Sequence, residues 1–219
     1  MSRWESRLIA VLTVLVFVAP PEPAQAADNE AAVVLETLAV KGRAPKTGYT
    51  RDQFGPAWAD VDRNGCDTRN DILKRDLYSI EFRSDSPNCT VQSGILRDPF
   101  SGAAISFVRG VATSNEVQID HIVPLSDAWQ KGAQKLTADR RKEFANDPLN
   151  LLAVKGSLNS QKKDGDAATW LPPLKSYRCK YVARQIAVKA KYSLWVTAAE
   201  KTAMKTILAK CPGELTPTN

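Results

Sequence analysis

The chain has 219 residues, of which 43% are hydrophobic and 25% charged, and its formal net charge at pH 7 is +6. A chain of this length can bury a substantial core as one domain, and no stretch after residue 26 is apolar enough to cross a bilayer, which excludes a transmembrane span there. The positive charge suits a polyanionic partner, although cell-wall polymers and anionic lipid surfaces would serve equally well.

The amino terminus has the features of a secretory signal peptide. Arg3 and Arg7 flank the start, residues 8–19 are apolar, and residues 24–26 (Ala-Gln-Ala) form a small-x-small cleavage pattern. Because the apolar run is short for a membrane span, we expect residues 1–26 to be removed and the mature protein to be secreted. The alternative is a retained amino-terminal anchor. Removal takes away two basic and two acidic residues and leaves the net charge at +6.

The next segment is expected to lead into the main domain. Residues 29–40 have the spacing of a short amphipathic helix, and a connector with Gly and Pro follows. We therefore interpret residues 27–47 as an amino-terminal helix and linker, residues 48–213 as the main domain, and residues 214–219 as a flexible tail.

Within the main domain the pattern predicts one helix, several short strands and then further helices. Residues 68–77 have helical spacing, with Thr68 or Asn70 available as a cap. Short β-like runs separated by Pro, Gly, Asn and Ser follow at 78–82, 91–97, 104–110 and 116–123. After Pro124 helical periodicity predicts helices at 125–135, 137–145 and 155–163, with a brief apolar run at 151–154. The fold class is α+β, in one domain.

A carboxyl-terminal helical pair is predicted over residues 174–210. Its expected core residues are Tyr181, Ile186, Val188, Leu194, Trp195, Met204, Ile207 and Leu208.

Four cysteines in a chain expected to be exported indicate disulfides, for which three pairings are possible. We favour Cys66–Cys89 and Cys179–Cys211, because each pair closes a local loop, and loops of this length typically gain ~3 kcal/mol from closure. A zinc site is the alternative, but the chain has no C-x-x-C pair.

His121 is the only histidine in the chain, and it directly follows Asp120. Hydrolysis of a phosphodiester needs a base that deprotonates water and a divalent cation that neutralises charge on the phosphate; imidazole and carboxylate can supply these two functions. Adjacent side chains of a strand point to opposite faces, so both can serve one site only where the strand ends, and Pro124 is compatible with such an end. A single histidine at a strand end is more often a packed or surface residue. Whether His121 has a catalytic role therefore depends on which other residues accompany it.

Two asparagines complete an ordered set. Asn150 precedes the apolar run LLAV, and Asn159 lies in the following helical segment. The order of Asp-His at a strand end, Asn before a second strand and Asn on a helix resembles the His-Asn-His endonucleases with their ββα-metal core. Within that group the segments DHIVPLSDAW, NDPLNLLAV and NSQKKDGDAATWLPP are most similar to secreted bacterial nucleases related to the carboxyl-terminal domain of GmrSD-type restriction endonucleases. The likeness extends to residues 48–73.

The resemblance implies both a fold and residue roles. It implies a ββα-metal core at about residues 116–165, with added short antiparallel strands and the carboxyl-terminal helical pair. His121 falls on the general base, Asp120 and Asn159 on the metal ligands, and Asn150 on the catalytic asparagine, which we assign to holding the loop around His121. Asn159 replaces the last histidine of the motif, and because an amide oxygen suits a hard cation, we expect one Mg²⁺ or Mn²⁺ ion.

Other residues are weaker candidates. Contacts to substrate phosphate are considered for Lys155, Lys162 and Lys163. A second basic group, Arg140, Arg141 and Lys142, could contact phosphate or simply form a solvated helix face, as could the lysines. We expect core positions rather than base-stacking platforms for Trp129, Trp170 and Trp195.

Residues 60–71 have the spacing of a calcium-binding loop, with Asp60, Asp62, Asn64 and Asp71 at ligand positions and Gly65 at the turn. The last ligand is normally a bidentate glutamate, so a turn that presents Cys66 is the preferred interpretation, with structural Ca²⁺ as the alternative.

The sequence therefore predicts a secreted, monomeric, metal-dependent endonuclease that acts on DNA, with RNA as an open alternative substrate. Two other classes stay open: a non-catalytic polyanion-binding protein of the cell surface, and a disulfide-stapled interaction module in which His121 has no special role. A metal chelator distinguishes the polyanion-binding protein from the endonuclease, because counterion-driven binding persists in chelator whereas metal-dependent hydrolysis stops.

Overall fold

A computed structural model of the chain describes residues 29–86, 88–111 and 113–218. The expected signal peptide, residues 1–26, lies outside the described residues.

In chain order the elements are α1 (Ala31–Thr37), α2 (Thr68–Asp76), β1 (Leu77–Phe82), β2 (Val91–Arg97), β3 (Ala104–Val108), β4 (Val117–His121), α3 (Leu125–Gln130), α4 (Ala138–Asn146), β5 (Leu151–Lys155), α5 (Gly156–Lys162), α6 (Arg178–Lys191) and α7 (Ala198–Leu208). Short 3-10 turns lie at Arg51–Phe54, Ala133–Lys135 and Lys175–Tyr177. The mixed helices and strands form a single compact domain.

Strands β1, β2 and β3 form an antiparallel sheet in that order. Helix α2 packs against it, because the sheet and the helix share a buried core that includes Ile72, Leu96 and Phe107. The N-cap of this helix is Asp67, whose carboxylate accepts a hydrogen bond from the Asn70 amide, so neither of the predicted caps, Thr68 or Asn70, is the N-cap.

Strands β4 and β5 form a separate antiparallel pair, in which Val117 faces Lys155 and His121 faces Leu151. Helix α5 starts directly after β5 and runs back along the pair towards the His121 end. Gly156 makes this close return possible, because a Cβ atom there would lie 1.9 Å from the backbone oxygen of Asn115. The two strands β4 and β5 followed by helix α5 form a ββα unit, in which α5 lies beside the last residues of β4.

The carboxyl-terminal helices α6 and α7 share a buried core with α1, with Leu158 of α5 and with Leu152 and Val154 of β5. All of the predicted core residues of this region are buried, from Tyr181 to Leu208. Helix α7 begins with a reciprocal capping box between Thr197 and Glu200. Two disulfides, Cys66–Cys89 and Cys179–Cys211, join the chain in the two local pairings that the sequence favoured. With their sulfur atoms bonded to one another, these cysteines do not form the alternative zinc site.

The two ends of the described chain are hydrogen-bonded to each other. The Ala31 amide donates to the Glu214 carbonyl at 2.8 Å, and the Thr216 amide donates to the Asn29 carbonyl at 2.8 Å. Ala31 and Leu35 of α1 are fully buried in the core that includes α6 and α7, so the predicted amino-terminal helix packs on the main domain.

A buried ionic cluster holds the amino-terminal segment, α3, α6 and α7 together. Its members are Arg43, Lys131, Lys189, Asp127, Asp166 and Glu200. Lys131 Nζ lies 2.8 Å from Asp127 Oδ1, 2.7 Å from Asp166 Oδ2 and 2.7 Å from Glu200 Oε2. Three positive and three negative groups balance, which offsets the cost of removing them from water.

Within the described ranges, no helix combines the length and the apolar composition that crossing a membrane would require.

Candidate active site

His121 is the last residue of β4 and is half-buried. Its Nε2 atom lies 2.9 Å from the backbone oxygen of Ala145, at the end of α4. A carbonyl oxygen can only accept a hydrogen bond, so Nε2 carries the proton and Nδ1 is the acceptor nitrogen of the neutral ring. The α4 backbone thereby sets both the orientation and the tautomer of the imidazole.

The surroundings of His121 favour the neutral imidazole. Burial lowers the pKa of His121 to about 4. The hydrogen bond to Ala145 would raise this pKa, and the positive charges of Arg51 and Lys162 lower it further. At neutral pH the ring is therefore free of the second proton and can act as a base, because its Nδ1 lone pair is available.

Asp120 precedes His121 and is 4% exposed. Lys162 Nζ lies 2.8 Å from Asp120 Oδ1 and 2.7 Å from the backbone oxygen of His121. Burial raises the pKa of Asp120, although the charge and the hydrogen bond of Lys162 counteract this. The second carboxylate oxygen, Oδ2, is buried and has no donor among the described residues. This carboxylate oxygen is therefore available to bind a cation, because no described residue donates a hydrogen bond to it.

Asn159 lies on α5 opposite the β4 strand. Its Nδ2 atom donates to Gln118 Oε1 at 2.9 Å, which leaves Oδ1 without a donor from any residue that the structure describes. Asp120, His121 and Asn159 line one small cavity of about 110 Å³, which we call the polar cavity. Its other walls come from Tyr49, Arg51, Ile119, Pro124, Leu125, Lys163 and Asp164. Three of the four residues singled out from the sequence therefore meet at one cavity.

Asn150 is fully buried and does not line the polar cavity. Its Oδ1 accepts from the Val123 amide at 2.8 Å, and its Nδ2 donates to the Val123 and Phe144 carbonyls at 3.3 and 3.4 Å. These bonds join the turn after His121 to the α4 segment whose Ala145 carbonyl orients the imidazole. The contacts are those of a residue that supports the site without reaching substrate.

The candidate phosphate-binding lysines lie in three different settings. Lys155 is at the far end of β5, opposite Val117 and away from His121. Lys162 is 2% exposed and paired with Asp120, so its ammonium does not face solvent, and the expected phosphate contact is corrected for this residue. Lys163 is exposed and lines the polar cavity. Of the three, Lys163 alone combines exposure with a place at the cavity.

The second basic group makes internal contacts. Arg140 pairs with Glu143 at 2.5 Å and lies over the Tyr192 ring at 4.3 Å, and Arg141 donates to backbone oxygens of Gln53 and Leu136. The tryptophans behave as expected: Trp129 and Trp195 are buried, and Trp170 packs against the core of α6 and α7.

Tyr49 and Arg51 were not given a role by the sequence analysis, although the resemblance covered their segment. They line the polar cavity because the 3-10 turn at Arg51–Phe54 packs against α4. The signal available in the sequence was an aromatic and a basic residue in a turn-rich stretch, which by itself is common. Only their place beside His121 distinguishes them.

The segment that resembles a calcium loop is an exposed turn closed by its own groups. The Gly65 and Asn64 amides donate to Asp60 at 3.0 and 3.1 Å, and Asn64 Nδ2 donates to Asp62 and Asp71 at 2.9 and 3.1 Å. Hydrogen bonds from the turn lower the pKa of Asp60 against the opposing effect of burial. Burial and the neighbouring carboxylates of Asp62 and Asp60 raise the pKa of Asp71, and a structural Ca²⁺ ion at this turn stays a prediction.

Asp120 and Asn159 give the polar cavity two oxygen ligands of the kind that a hard divalent cation takes. Asp120 Oδ2 and Asn159 Oδ1 are oxygen atoms without donors, and Mg²⁺ is commonly held by one or two protein oxygens while keeping several waters. In the described ranges the one cluster of three His, Cys, Asp or Glu ligands is Cys179, Cys211 and Glu214, and the disulfide uses both of its sulfur atoms.

Comparison with known proteins places the chain in a family. Over 210 residues it is 37% identical to a protein of Arthroderma benhamiae described as an uncharacterized secreted protein, and the match covers 93% of this chain and 98% of that protein. No solved structure matches the chain. Residues 67–207, which include the strand pair, α5 and the polar cavity residues from Ile119 onwards, match the family described as GmrSD restriction endonucleases, C-terminal domain. The chain therefore belongs to the family of GmrSD restriction endonuclease carboxyl-terminal domains.

Proposed function

We propose that this protein is a secreted, metal-dependent endonuclease of the His-Asn-His type that hydrolyses phosphodiester bonds of DNA. The observation that carries the proposal is the polar cavity, where a neutral, oriented imidazole lies beside two oxygen atoms that lack donors, Asp120 Oδ2 and Asn159 Oδ1. Membership of a restriction endonuclease family supports hydrolysis of nucleic acid as the reaction.

In this proposal His121 is the general base. Nε2 is fixed on the Ala145 carbonyl, so Nδ1 accepts the proton of a water molecule that attacks phosphorus. A divalent ion held by Asp120 and Asn159 would neutralise charge on the phosphate and on the leaving 3′ oxygen. The bond between phosphorus and the 3′ oxygen breaks, which leaves a 5′-phosphate on one product and, after protonation of the leaving oxygen, a 3′-hydroxyl on the other. Asn150 keeps the turn after His121 in place through its bonds to Val123 and Phe144.

The strand pair β4–β5 and helix α5 support the assignment of a ββα-metal core. The three elements are consecutive apart from the segment that contains α3 and α4, and α5 carries Asn159 and Lys162 back to the end of β4. In this arrangement β4 contributes the base and the carboxylate, and α5 contributes the amide ligand. The supporting asparagine, Asn150, directly precedes β5.

Secretion is supported by three separate features. The sequence begins with a signal-peptide pattern, two disulfides are formed, and the relative from Arthroderma benhamiae is described as secreted. Disulfides persist in oxidising compartments outside the cytosol.

The test uses protein exported from the full-length chain, with its disulfides formed, incubated with supercoiled plasmid in Mg²⁺, in Mn²⁺ and in EDTA. We expect nicking and linearisation that need the metal and products with 5′-phosphate ends. His121→Ala should lower the cleavage rate by at least about 100-fold, the contribution of a general base. Asn159→Ala should also lower the rate, because it removes a ligand of the metal ion. Single-stranded RNA in parallel reactions decides whether RNA is also cut.

Gln161→Ala is the matched control, because Gln161 is an exposed residue of the same helix and lies outside the cavity. It should cleave like the wild type. Intact plasmid in all metal conditions, from protein shown to be folded, would contradict the proposal and favour the polyanion-binding alternative. Cleavage that survives in His121→Ala would remove His121 from the role of base.

A further inference from the structure

A second cavity, of about 280 Å³, shares His121, Arg51 and Leu125 with the polar cavity. We call it the aromatic cavity, and its further walls include Phe54, Pro56, Trp58, Ala145 and Asn146. It is slightly smaller than the ~300–1,000 Å³ pockets that bury drug-sized ligands, so its size suits one planar ring system. No step of the proposed hydrolysis uses it.

Trp58 gives this cavity an aromatic wall next to the proposed base. The Trp58 and His121 rings are nearly parallel, at 16°, with centroids 6.4 Å apart. Trp58 is partly buried against the core that includes Ile72 and Phe107, so the indole is held in place from behind. Its backbone has φ of 59°, a region that bulky residues rarely adopt. Backbone outliers of this kind cluster at ligand-binding sites.

Asn146 brings a polar group to the same cavity. It is 1% exposed, and its Nδ2 atom donates to the Lys142 carbonyl at 2.9 Å, which fixes the orientation of the amide. Its Oδ1 atom is buried and receives no hydrogen bond within the described ranges. An unpartnered buried acceptor costs free energy unless a ligand supplies the donor, and the N–H groups of a nucleobase are such donors.

Arg51 connects the two cavities. It lines both of them, is exposed, and makes neither an ion pair nor a hydrogen bond with any residue that the structure describes. Its guanidinium is therefore available to a phosphate group between the base in one cavity and the reaction centre in the other.

We infer that the aromatic cavity binds the nucleobase adjacent to the phosphate that is cleaved at His121. Trp58 stacks on the base, Asn146 Oδ1 accepts a hydrogen bond from one of its N–H groups, and Arg51 contacts the backbone phosphate. Stacking accepts every base because each has a π face, so the cavity gives affinity without strict sequence specificity. The inference rests on the proposed nuclease function.

The test uses single-stranded DNA oligonucleotides, identical except for one abasic nucleotide, cut in Mg²⁺ by protein exported from the full-length chain. Product mapping gives the cleavage rate at each phosphate, and distant phosphates in the same molecule are the internal reference. With the wild type, a phosphate beside the abasic nucleotide should be cut roughly 5- to 150-fold more slowly than in the intact oligonucleotide, the value of one stacked base.

Trp58→Leu keeps an apolar side chain against the core but removes the aromatic face. It should slow cleavage of the intact oligonucleotide and cut beside the abasic nucleotide as fast as beside a normal one. Trp58→Phe should restore the discrimination. Because the discrimination is a ratio within one preparation, partial misfolding of a variant does not change it. Tyr78→Ala, at an exposed aromatic residue of β1, is the matched control and should discriminate like the wild type.

Undiminished discrimination in Trp58→Leu, or none in the wild type, would overturn the inference while leaving the nuclease function intact. A wild type that cuts supercoiled plasmid in Mg²⁺ but not the intact oligonucleotide would also overturn the inference alone. A wild type that cuts neither would overturn the proposed function, and the inference with it, so cleavage of the plasmid distinguishes the two failures.

Discussion

The ammonium of Lys162 lies 2.8 Å from a carboxylate oxygen of Asp120, and both side chains are almost completely buried. The same ammonium donates to the His121 backbone oxygen at 2.7 Å, so one cation on α5 holds the end of β4. Asp120 thereby keeps one oxygen engaged by the protein and the other, Oδ2, without a donor among the described residues. The lysine orients the carboxylate that the proposal assigns to the metal.

Lys162→Met is expected to lower the free energy of unfolding by about 3–5 kcal/mol, because it leaves the buried Asp120 carboxylate without its partner. Urea denaturation measures the change. Lys163→Met is the matched control, since Lys163 is the next residue and is exposed, and it should change stability by less than about 0.5 kcal/mol. Equal stability of the two variants would show that the ion pair makes no net contribution.

Asn150→Ala should reduce both stability and activity, because the buried Val123 amide loses its acceptor. An unsatisfied buried donor costs about 1–3 kcal/mol. If Asn150 acts through the turn that follows His121, kcat for plasmid cleavage should fall while KM stays nearly constant. Asn150→Asp retains the acceptor for Val123 and should recover part of kcat. A change in KM alone would assign Asn150 to substrate binding instead.

Gly156→Ala should destabilise the protein, because the new Cβ would lie 1.9 Å from the Asn115 backbone oxygen and neither backbone can move without displacing α5 or its neighbour. We expect a loss of about 1–3 kcal/mol, the range for overpacked sites, measured by thermal unfolding. Gly42→Ala is the control, since a Cβ at Gly42 meets no atom within 4 Å. A Gly156→Ala protein that unfolds at the wild-type temperature would contradict the close return of α5.

The ionic cluster should make stability depend on acid pH through Asp166. Burial alone would raise the pKa of Asp166, but the hydrogen bond and charge of Lys131, together with Arg43, outweigh burial and hold this pKa below its ordinary value. A lowered folded-state pKa stabilises the protein above the unfolded-state value of about 3.9, and this stabilisation is lost as pH falls through the folded-state pKa.

Asp166→Asn should therefore lower the free energy of unfolding by about 1.5–3 kcal/mol at pH 7, the value of hydrogen bonds to charged groups. The difference from the wild type should shrink as the pH is lowered below about 3.9. Urea unfolding at a series of pH values measures it. Asp164→Asn, which alters an exposed pair with Lys46, should cost less than about 1 kcal/mol. A difference for Asp166→Asn that stays constant from pH 7 to pH 2 would contradict the assignment.

Much of the fold followed from local patterns. Every helix and strand that periodicity predicted overlaps the element observed, because hydrophobic spacing reflects which face is buried. Strand β1 begins one residue earlier than predicted, and α4 and β5 each end one residue later. The contacts between the two ends of the described chain were not predicted: Ala31 and Leu35 are buried, and residues 214–216 bond back to residues 29–31. Those contacts join the two ends of the chain, and no local pattern reports them.

The candidate site was only partly predictable. Asp120, His121 and Asn159 were identified by their order and chemistry, and they line one cavity. Trp58 and Arg51 were missed, since an aromatic and a basic residue in a turn carry no signal until the turn packs beside His121. Lys162 was expected at the surface like its neighbour Lys163, although one is buried and the other exposed.

The sequence by itself determined the α+β class, the order of the elements and the residue types proposed for hydrolysis, because each depends on spacing or chemistry within short segments. It favoured the local cysteine pairs but left the other pairings open. The tertiary structure decided the hydrogen bond from His121 to Ala145, the burial of Lys162 against Asp120, and the aromatic cavity formed by Trp58 and Asn146. These features join residues that are distant in the chain. The sequence does not show whether a charged or polar side chain is solvated or buried, because burial depends on packing in three dimensions.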